Sequence, residues 1–319
     1  MKHAPVMKRW SGVRKQRRSK GVAVVTALLL TALAVTIVAS LFWQQQVQVR
    51  TIENQRLQLQ KQWILRGAMD WARLILREDA KYSAIDDLNE PWSVPLSETR
   101  LDQYVESAAI RGDAGSAVLS GAIQDAQARL NLSSLASRGE VNAAEIAAFE
   151  RLLSSLHQDP SFARAAAQQL AASQIASSGD NSSTRTLGFV QTDDLLAVPG
   201  GTLALLQAVR DYVVFLPHAT PVNANTASAE VLSARLSTLS LADANTLLTS
   251  RRTNSFRDLS DVAERMPGRG DAPTPDQITV ASNYFLVTGM VTIRQATLQV
   301  QGLVERQGAT THLLWLREV

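Results

Sequence analysis

The side chains best suited to catalysis or metal binding are few in this chain and lie far apart. Its four histidines lack metal-ligand spacing: His3, His157, His218 and His312. With no cysteine, the chain has no disulfide, thiolate nucleophile or cysteine-ligated zinc. It contains no Gly-x-Ser-x-Gly, His-Glu-x-x-His or Gly-x-x-x-x-Gly-Lys motif. We therefore predict no catalytic residues and a protein that is not an enzyme.

Acidic side chains are the remaining candidates for binding chemistry. The pairs Asp86-Asp87 and Asp193-Asp194 are predicted to be solvated turns or helix starts. Hard cations take carboxylate and carbonyl oxygens from loops, so a structural calcium ion is a candidate cofactor, although no EF-hand spacing exists. The metal ligands stay unknown, and the pool of candidates is Asp193, Asp194, Asp258, Asp261, Glu264, Asp271 and Asp276.

A basic leader precedes an uncharged apolar run. Residues 1–21 contain Lys and Arg but no acid, and Val22 to Trp43 has no charged residue at all. At about 1.5 Å per helical residue, that run can cross a hydrocarbon core of about 30 Å. It is longer than the apolar stretch of about 7–15 residues in a secretory signal. The sequence favours a membrane span that is retained; a plain anchor and a signal cleaved after Val38-Ala39-Ser40 are the alternatives.

The formal charge of the chain conceals an acidic main part. The total is 32 Lys and Arg against 29 Asp and Glu. The leader holds eight of the cations, which leaves 24 against 29 and a charge of about −5 for residues 22–319. A general nucleic-acid footprint would be basic. The charge therefore argues against nucleic acid as a partner.

Residues from Val22 to about Ala80 are predicted to form one long helix, since no proline occurs between Pro5 and Pro91. After Trp43 its apolar residues recur at spacings of mostly three, four and seven, which is one helical stripe. We predict that the stripe faces protein, either the chain's own sheet or neighbouring helices; a coiled-coil neck is the alternative. The residues assigned to a partner interface are Ile52, Leu59, Trp63, Ile64 and Ala68.

The rest of the chain indicates an α+β fold in which helices interrupt a sheet. Residues 116–124 alternate weakly and read as a strand, and the segments 283–293, 297–304 and 312–316 read as further strands. Between them the period changes to that of helices, with Asn142 as one expected N-cap and Asp159-Pro160 opening another helix. The predicted divisions are a leader at 1–21, the membrane part of the helix at 22–43, the stalk helix and first strand at 44–132, an inserted helical domain at 133–277 and C-terminal strands at 278–319.

The junction Lys20-Gly21 before a retained apolar helix resembles a prepilin of the type IV pilin and type II secretion class. The resemblance implies that a prepilin peptidase cuts after Gly21 and that the new amino terminus, Val22, is methylated. Most pilins carry glutamate as the fifth mature residue, where this chain has Thr26. A carboxylate in lipid is expensive unless it is paired. A subunit without one needs no partner ahead of it, which points to the tip of a filament.

The turn Thr-Pro-Val-Asn-Ala-Asn-Thr-Ala at 220–227 resembles that of the minor pseudopilin K family of type II secretion, as do 125–132, 190–200 and 283–287. The resemblance implies a pilin-like long N-terminal helix packed on an antiparallel sheet, with a large all-α domain inserted between the strands. It implies a tip subunit of a periplasmic pseudopilus, anchored in the inner membrane by a single pass, and calcium in the helical domain. The implied partners are minor pseudopilins I, J and H, major pseudopilin G, the prepilin peptidase and the inner-membrane secretion platform.

The same turn, together with residues 251–268, also resembles helix-hairpin-helix modules of DNA-uptake proteins. In those modules a glycine hairpin presents backbone N–H groups to a phosphate. Here no hairpin glycine follows Leu232, and Asp271 lies where phosphate would approach. We therefore expect structural helix packing rather than DNA contact, and keep a membrane-anchored DNA-binding protein as the alternative function.

Overall fold

The computed structural model describes residues 20–101, 117–176, 188–267 and 272–319. The α-helices within these ranges are α1 Lys20–Asp79, α2 Ala143–Ser155, α3 Ser161–Ala176, α4 Leu203–Val209, α5 Ala229–Arg235, α6 Leu241–Thr253 and α7 Leu259–Arg265. The strands are β1 Leu96–Arg100, β2 Val118–Asp125, β3 Leu130–Asn131, β4 Ala136–Ser137, β5 Glu140–Val141, β6 Val213–Val214, β7 Val222–Asn223, β8 Ile278–Thr279, β9 Tyr284–Ile293, β10 Ala296–Gln307 and β11 Thr310–Glu318. The chain divides into two units, Met1–Leu59 and Gln60–Val319.

The described part of the first unit is the N-terminal portion of α1. Every residue from Gly21 to Arg56 is exposed. Among the described residues, this helix alone is long and apolar enough to cross a membrane. The threonines within the apolar run bond back to carbonyls of the preceding turn, as Thr26 does to Val22 and Ala23 at 3.0 Å each. The predicted long helix is confirmed.

The second unit is built on a five-stranded antiparallel sheet in the order β1-β2-β9-β10-β11. The last part of α1 packs on one face through Leu65, Met69 and Leu76, all at most 1% exposed. Two glycines of the sheet allow the close approach. A Cβ on Gly289 would lie 3.1 Å from the Leu65 side chain, and one on Gly302 would lie 3.3 Å from the Met69 sulfur.

The predicted interface stripe does not coincide with the face of α1 that packs on the sheet. Ile52, Leu59 and Trp63 are 63%, 56% and 67% exposed, and Ile64 and Ala68 are half-buried. Both faces of the helix carry apolar residues, so the spacing alone could not say which one the sheet covers. The part of the prediction that assigns the stripe to neighbouring helices stays a prediction.

Residues 126–283 separate β2 from β9, so the sheet is interrupted by one long insertion. The insertion is mostly helical, and three pairs of two-residue strands lie within it: β3 with β6, β4 with β5 and β7 with β8. Its core includes Phe149, Leu152 and Phe256, each fully buried. The expected N-cap is confirmed, because the Asn142 side chain accepts from the N–H groups of Ala144 and Glu145. The α+β fold class with a helical insertion is confirmed.

Candidate functional site at the junction of the insertion and the sheet

Asn223 stands where the insertion meets the end of the sheet. Its Nδ2 lies 3.0 Å from the Asp86 carbonyl oxygen, 2.9 Å from the Asp125 carboxylate and 2.9 Å from Ser282 Oγ. These acceptors follow α1, end β2 and precede β9. One amide therefore ties together three segments that lie far apart in the chain.

Asp125 is the acceptor at the centre of this junction. Its carboxylate accepts from Thr226 Oγ1 at 2.6 Å, from Ser282 Oγ at 2.6 Å and from the Gln127 N–H at 2.7 Å. Burial raises the pKa of Asp125, and the bonds from Ser282 and Thr226 work in the opposite direction. A buried carboxylate with this many donors holds the turn 223–226 against the last residue of β2.

Arg306 of β10 closes the other side of the junction. Its Nη2 donates to both oxygens of Asp86, at 2.5 and 2.6 Å, and its Nη1 donates to Asp79 at 2.9 Å. The guanidinium also lies 4.7 Å from the centre of the Phe285 ring. Burial raises the pKa of Asp86 to about 6, against the effect of Arg306. The end of α1 is thus fastened to the sheet by a buried ionic cluster.

The expectation that Asp86-Asp87 is a solvated turn is wrong. Asp86 and Asp87 are 1% and 9% exposed. Asp86 meets Arg306, and Asp87 accepts a hydrogen bond from Ser255 in the insertion. The sequence around the pair shows only its local polarity, whereas both partners are more than a hundred residues away. The expectation for Asp193-Asp194 is confirmed, since the pair begins a 3-10 helix at Thr192–Ala197.

Asn225 fastens the same turn to the helices beyond it. Its Oδ1 accepts from the Phe256 N–H at 2.7 Å, and its Nδ2 donates to the Phe256 carbonyl at 2.9 Å. Arg251 of α6 donates to the carbonyls of Ala224 and Ala227 at 2.6 and 2.7 Å. The polar residues of this turn are used to hold the fold together.

Sequence reasoning found the turn at 220–227 but missed its partners Asp86 and Ser282, and also Arg306, which binds Asp86. The turn could be recognised because its residues are contiguous. Its partners are single polar residues in otherwise unremarkable segments, and no spacing rule joins them. Three of the predicted site residues, Gly21, Val22 and Thr26, lie near the amino terminus of α1 and are exposed. Residues 1–19 of the leader lie outside the described residues.

Three carboxylates of the candidate calcium pool have other partners in the described part of the chain. Asp194 accepts from the N–H groups of Val190 and Gln191, Asp258 caps α7, and Asp261 pairs with Arg265 at 2.6 Å. Asp271 lies outside the described residues. The acids that do converge within the described ranges are Asp79, Asp86 and Glu90, and Arg306 pairs with the first two. Calcium binding stays a prediction without an assigned site.

The buried cations in and beside the helix-hairpin-helix-like segment, Arg235 and Arg251, bind groups within the protein. Arg235 pairs with Glu145 at 2.6 Å and donates to the carbonyls of Gln277 and Asp276. Arg251 is bound to the turn described above. The loop from α5 to α6, residues 236–240, contains no glycine. The helices therefore serve packing, in agreement with the sequence prediction, and the hairpin at Gly268–Gly270 lies outside the described residues.

Comparison with known proteins identifies the chain. Two family models described as "Type II secretion system (T2SS), protein K" match residues 128–218 and 222–281. A "Type II secretion system protein K" from Pseudomonas aeruginosa is 26% identical over 303 residues, which cover 87% of this chain and 86% of that protein.

Among solved structures, a chain of the GspK-GspI-GspJ complex from enterotoxigenic Escherichia coli has the same fold. The TM-score is 0.64 at 21% identity, and the match covers 85% of this chain and 99% of that chain. The two family models together cover most of the insertion and include the turn at 223–226. The family models and the Pseudomonas relative support the type II secretion system protein K family for this chain, and with it a minor pseudopilin of that system.

Proposed function

We propose that this minor pseudopilin occupies the tip of the pseudopilus, where it initiates or caps the filament and supports export of folded proteins across the outer membrane. The supporting observation is the place of the insertion. Through Arg306, Asp86 and Asn223 it lies at the end of the sheet where α1 ends. A subunit capped in this way offers no sheet end on which another subunit could stack.

The partners in this proposal are other pseudopilins. The matched E. coli chain comes from a solved GspK-GspI-GspJ complex. By analogy, pseudopilins I and J bind the exposed stripe of α1 at Ile52, Leu59 and Trp63, with Ile64 and Ala68 at its margin. Pseudopilins H and G and the inner-membrane secretion platform are the further partners. The protein acts by assembly rather than catalysis.

Residues 22–43 anchor the chain in the inner membrane in a single pass, with the remainder in the periplasm. The basic leader stays on the cytoplasmic side, as the positive-inside rule requires. The prepilin peptidase cuts after Gly21 and Val22 becomes the methylated terminus. Gly21→Val should block maturation, and peptide mapping of the amino terminus tests it. An intact leader in the wild-type chain, or a terminus at Leu41, would contradict this step.

Thr26 gives the tip assignment its own test. With no amino terminus ahead, a carboxylate at this position would be desolvated without a partner. Threonine avoids that cost, since its hydroxyl bonds to Val22 and Ala23. Thr26→Glu should gain nothing for secretion and should hinder release from the membrane, whereas Thr26→Val serves as the uncharged control. Better secretion with Thr26→Glu, with the subunit distributed along the filament, would overturn the assignment.

Partner binding is tested with the full chain. Co-expression with pseudopilins I and J and purification in detergent should yield a complex that contains all three chains. Recovery of this chain alone, under conditions in which I and J associate with each other, would overturn the partner assignment.

A further inference from the structure

β11 is the terminal strand of the sheet in the described part of the chain. It pairs with β10 on one side, and no described strand lies on the other. Such an edge presents a row of backbone N–H and C=O groups that can accept another strand. Because β11 runs from Thr310 to Glu318, this edge is long enough for several ladder bonds.

The direction of each backbone group along β11 follows from two contacts. Val319 N–H donates to the Gln299 carbonyl at 3.1 Å, so residue 319, and with it 317 and 315, points toward β10. The Thr311 carbonyl accepts from Arg73 of α1 at 2.8 Å and therefore points away from β10. In a regular strand the backbone groups of residues 311 and 319 would point the same way. Here they point in opposite directions because the pairing of β10 with β11 shifts register between Leu303 and Val304. The backbone groups of Leu316 and Glu318 consequently face outward, beyond the part that Arg73 covers.

The side chains of this edge give only part of the usual protection. Exposed edge strands ordinarily carry charged residues, above all lysine, or proline. β11 contains neither lysine nor proline, and its charged residues Arg317 and Glu318 lie at its C-terminal end. Leu313, Leu314 and Leu316 are instead 36%, 39% and 42% exposed. Apolar side chains beside open backbone groups are the features of strand addition, in which the backbone supplies affinity and the side chains supply specificity.

Arg317 places a positive charge on the face of the sheet opposite to that of Leu316. It stacks 4.6 Å from the centre of the Trp315 ring and donates from its Nη atoms to Gln191 and Gln301, both at 2.7 Å. Its Nε is buried without a hydrogen-bond partner. Within the described ranges no carboxylate pairs with Arg317, so its positive charge is complementary to an acidic group beside the strand.

We propose that β11 accepts an extended strand from a partner pseudopilin, so that the sheet continues into the neighbouring chain. The added strand bonds to the backbone of Leu316 and Glu318, places apolar side chains beside Leu313 and Leu316, and places an acidic side chain beside Arg317. This inference rests on the proposed function, since a tip with one copy of this chain must take the strand from a different chain.

The substitution Leu316→Pro tests whether a partner strand bonds to this edge. It removes an outward N–H that does not bond to β10, and edge strands tolerate proline at such positions. Leu316→Thr is the matched control, because it retains the N–H with a strand-favouring side chain. Using full chains in detergent with co-expressed pseudopilins I and J, we expect Leu316→Pro to weaken the complex about ten-fold or more. Leu316→Thr should weaken it less.

Hydrogen exchange of the wild-type chain gives a readout that does not depend on how the variants fold. On complex formation the amides of Leu316 and Glu318 should become protected, while the inward amide of Arg317 should be protected already. If the complex forms but these outward amides exchange as before and both variants bind like the wild type, strand addition is overturned and the proposed function stands. If the wild-type complex does not form, the proposed function fails and this inference fails with it. A homodimer of this chain alone that Leu316→Pro abolishes would assign the edge to a second copy and overturn the proposal.

Discussion

Single polar residues fasten the helical insertion to the sheet. Asn223 and Asp125 meet Ser282 at one side, and Arg306 meets Asp86 at the other. All are buried, so each lost partner would leave an unsatisfied group out of reach of water. The conformation of the junction is therefore sensitive to individual substitutions there.

Asn225→Ala should lower the free energy of unfolding by about 2–4 kcal/mol, since the N–H and C=O of buried Phe256 both lose their partner. Asn245→Ala is the matched control. Asn245 is exposed and its side chain donates to the Leu241 carbonyl of its own helix, so its replacement should change stability by less than about 0.5 kcal/mol. Denaturant unfolding of the two variants measures the difference. Equal effects would contradict a structural role for the turn.

The pH dependence of stability should report on Asp86. Its pKa is raised by burial from 3.8 to about 6, so the folded protein holds a proton that the unfolded chain has lost between these values. The contribution is fully present below pH 3.8 and is lost as the pH rises through about 6. Asp86→Asn removes this titration. The stability of the wild type relative to Asp86→Asn should therefore fall by up to about 3 kcal/mol between pH 4 and pH 7. A flat difference would show that Arg306 cancels the effect of burial on the Asp86 pKa, and a rise with pH would show that Arg306 outweighs it.

At the scale of elements, α1 has two apolar faces with different uses. The face with Leu65, Met69 and Leu76 is covered by the sheet, whereas Leu59 and Trp63 are exposed. The helix can therefore be anchored in its own sheet unit and still present an apolar surface to other chains.

A matched pair of charge substitutions separates the two faces. Leu65→Asp should destabilise the chain by about 3–5 kcal/mol, because it buries an unpaired charge at a site that is 1% exposed. Leu59→Asp should leave thermal unfolding nearly unchanged and weaken the complex with pseudopilins I and J. If Leu59→Asp left both the unfolding temperature and the complex unaffected, the partner interface would lie elsewhere.

The packing of β2 on β9 depends on a glycine. A Cβ on Gly121 would lie 2.7 Å from the Thr288 carbonyl oxygen, which is backbone and cannot rotate away. Gly121→Ala should therefore destabilise the chain by about 1–3 kcal/mol. Gly67→Ala on α1 is the control, because its Cβ would meet nothing within 4 Å and alanine favours a helix by up to about 1 kcal/mol. Opposite changes in melting temperature are expected, and a tolerated Gly121→Ala would mean that the strands can separate locally.

At the scale of the whole molecule, charge and fold both favour protein partners over DNA. Residues 22–319 carry 24 cations against 29 acids, and Arg235 and Arg251 are bound inside the insertion. The family assignment to a type II secretion component agrees with this.

The chain that begins at Val22, in detergent, should accordingly bind a 20-base-pair duplex no more tightly than about 10⁻⁴ M at physiological salt, the weak limit of non-specific binding. Fluorescence anisotropy across a salt series measures it. Residues 1–21 are basic and would add non-specific affinity to the full chain, so this cleaved form without them is the one to measure. Micromolar, salt-dependent binding by the cleaved form would revive the DNA-uptake alternative.

The sequence alone determined the features that depend on local order. The apolar run, the long helix, the N-cap at Asn142, the strands 283–293 and 297–304 and the turn at 220–227 all follow from contiguous residues or fixed periods, and so does the insertion between strands. Only the tertiary structure decided which face of α1 the sheet covers, since both faces are apolar and periodicity does not rank them. It also decided the roles of Asp86, Asp125 and Arg306. Their main partners lie about a hundred residues or more away in the chain, and a single sequence carries no signal for such pairing.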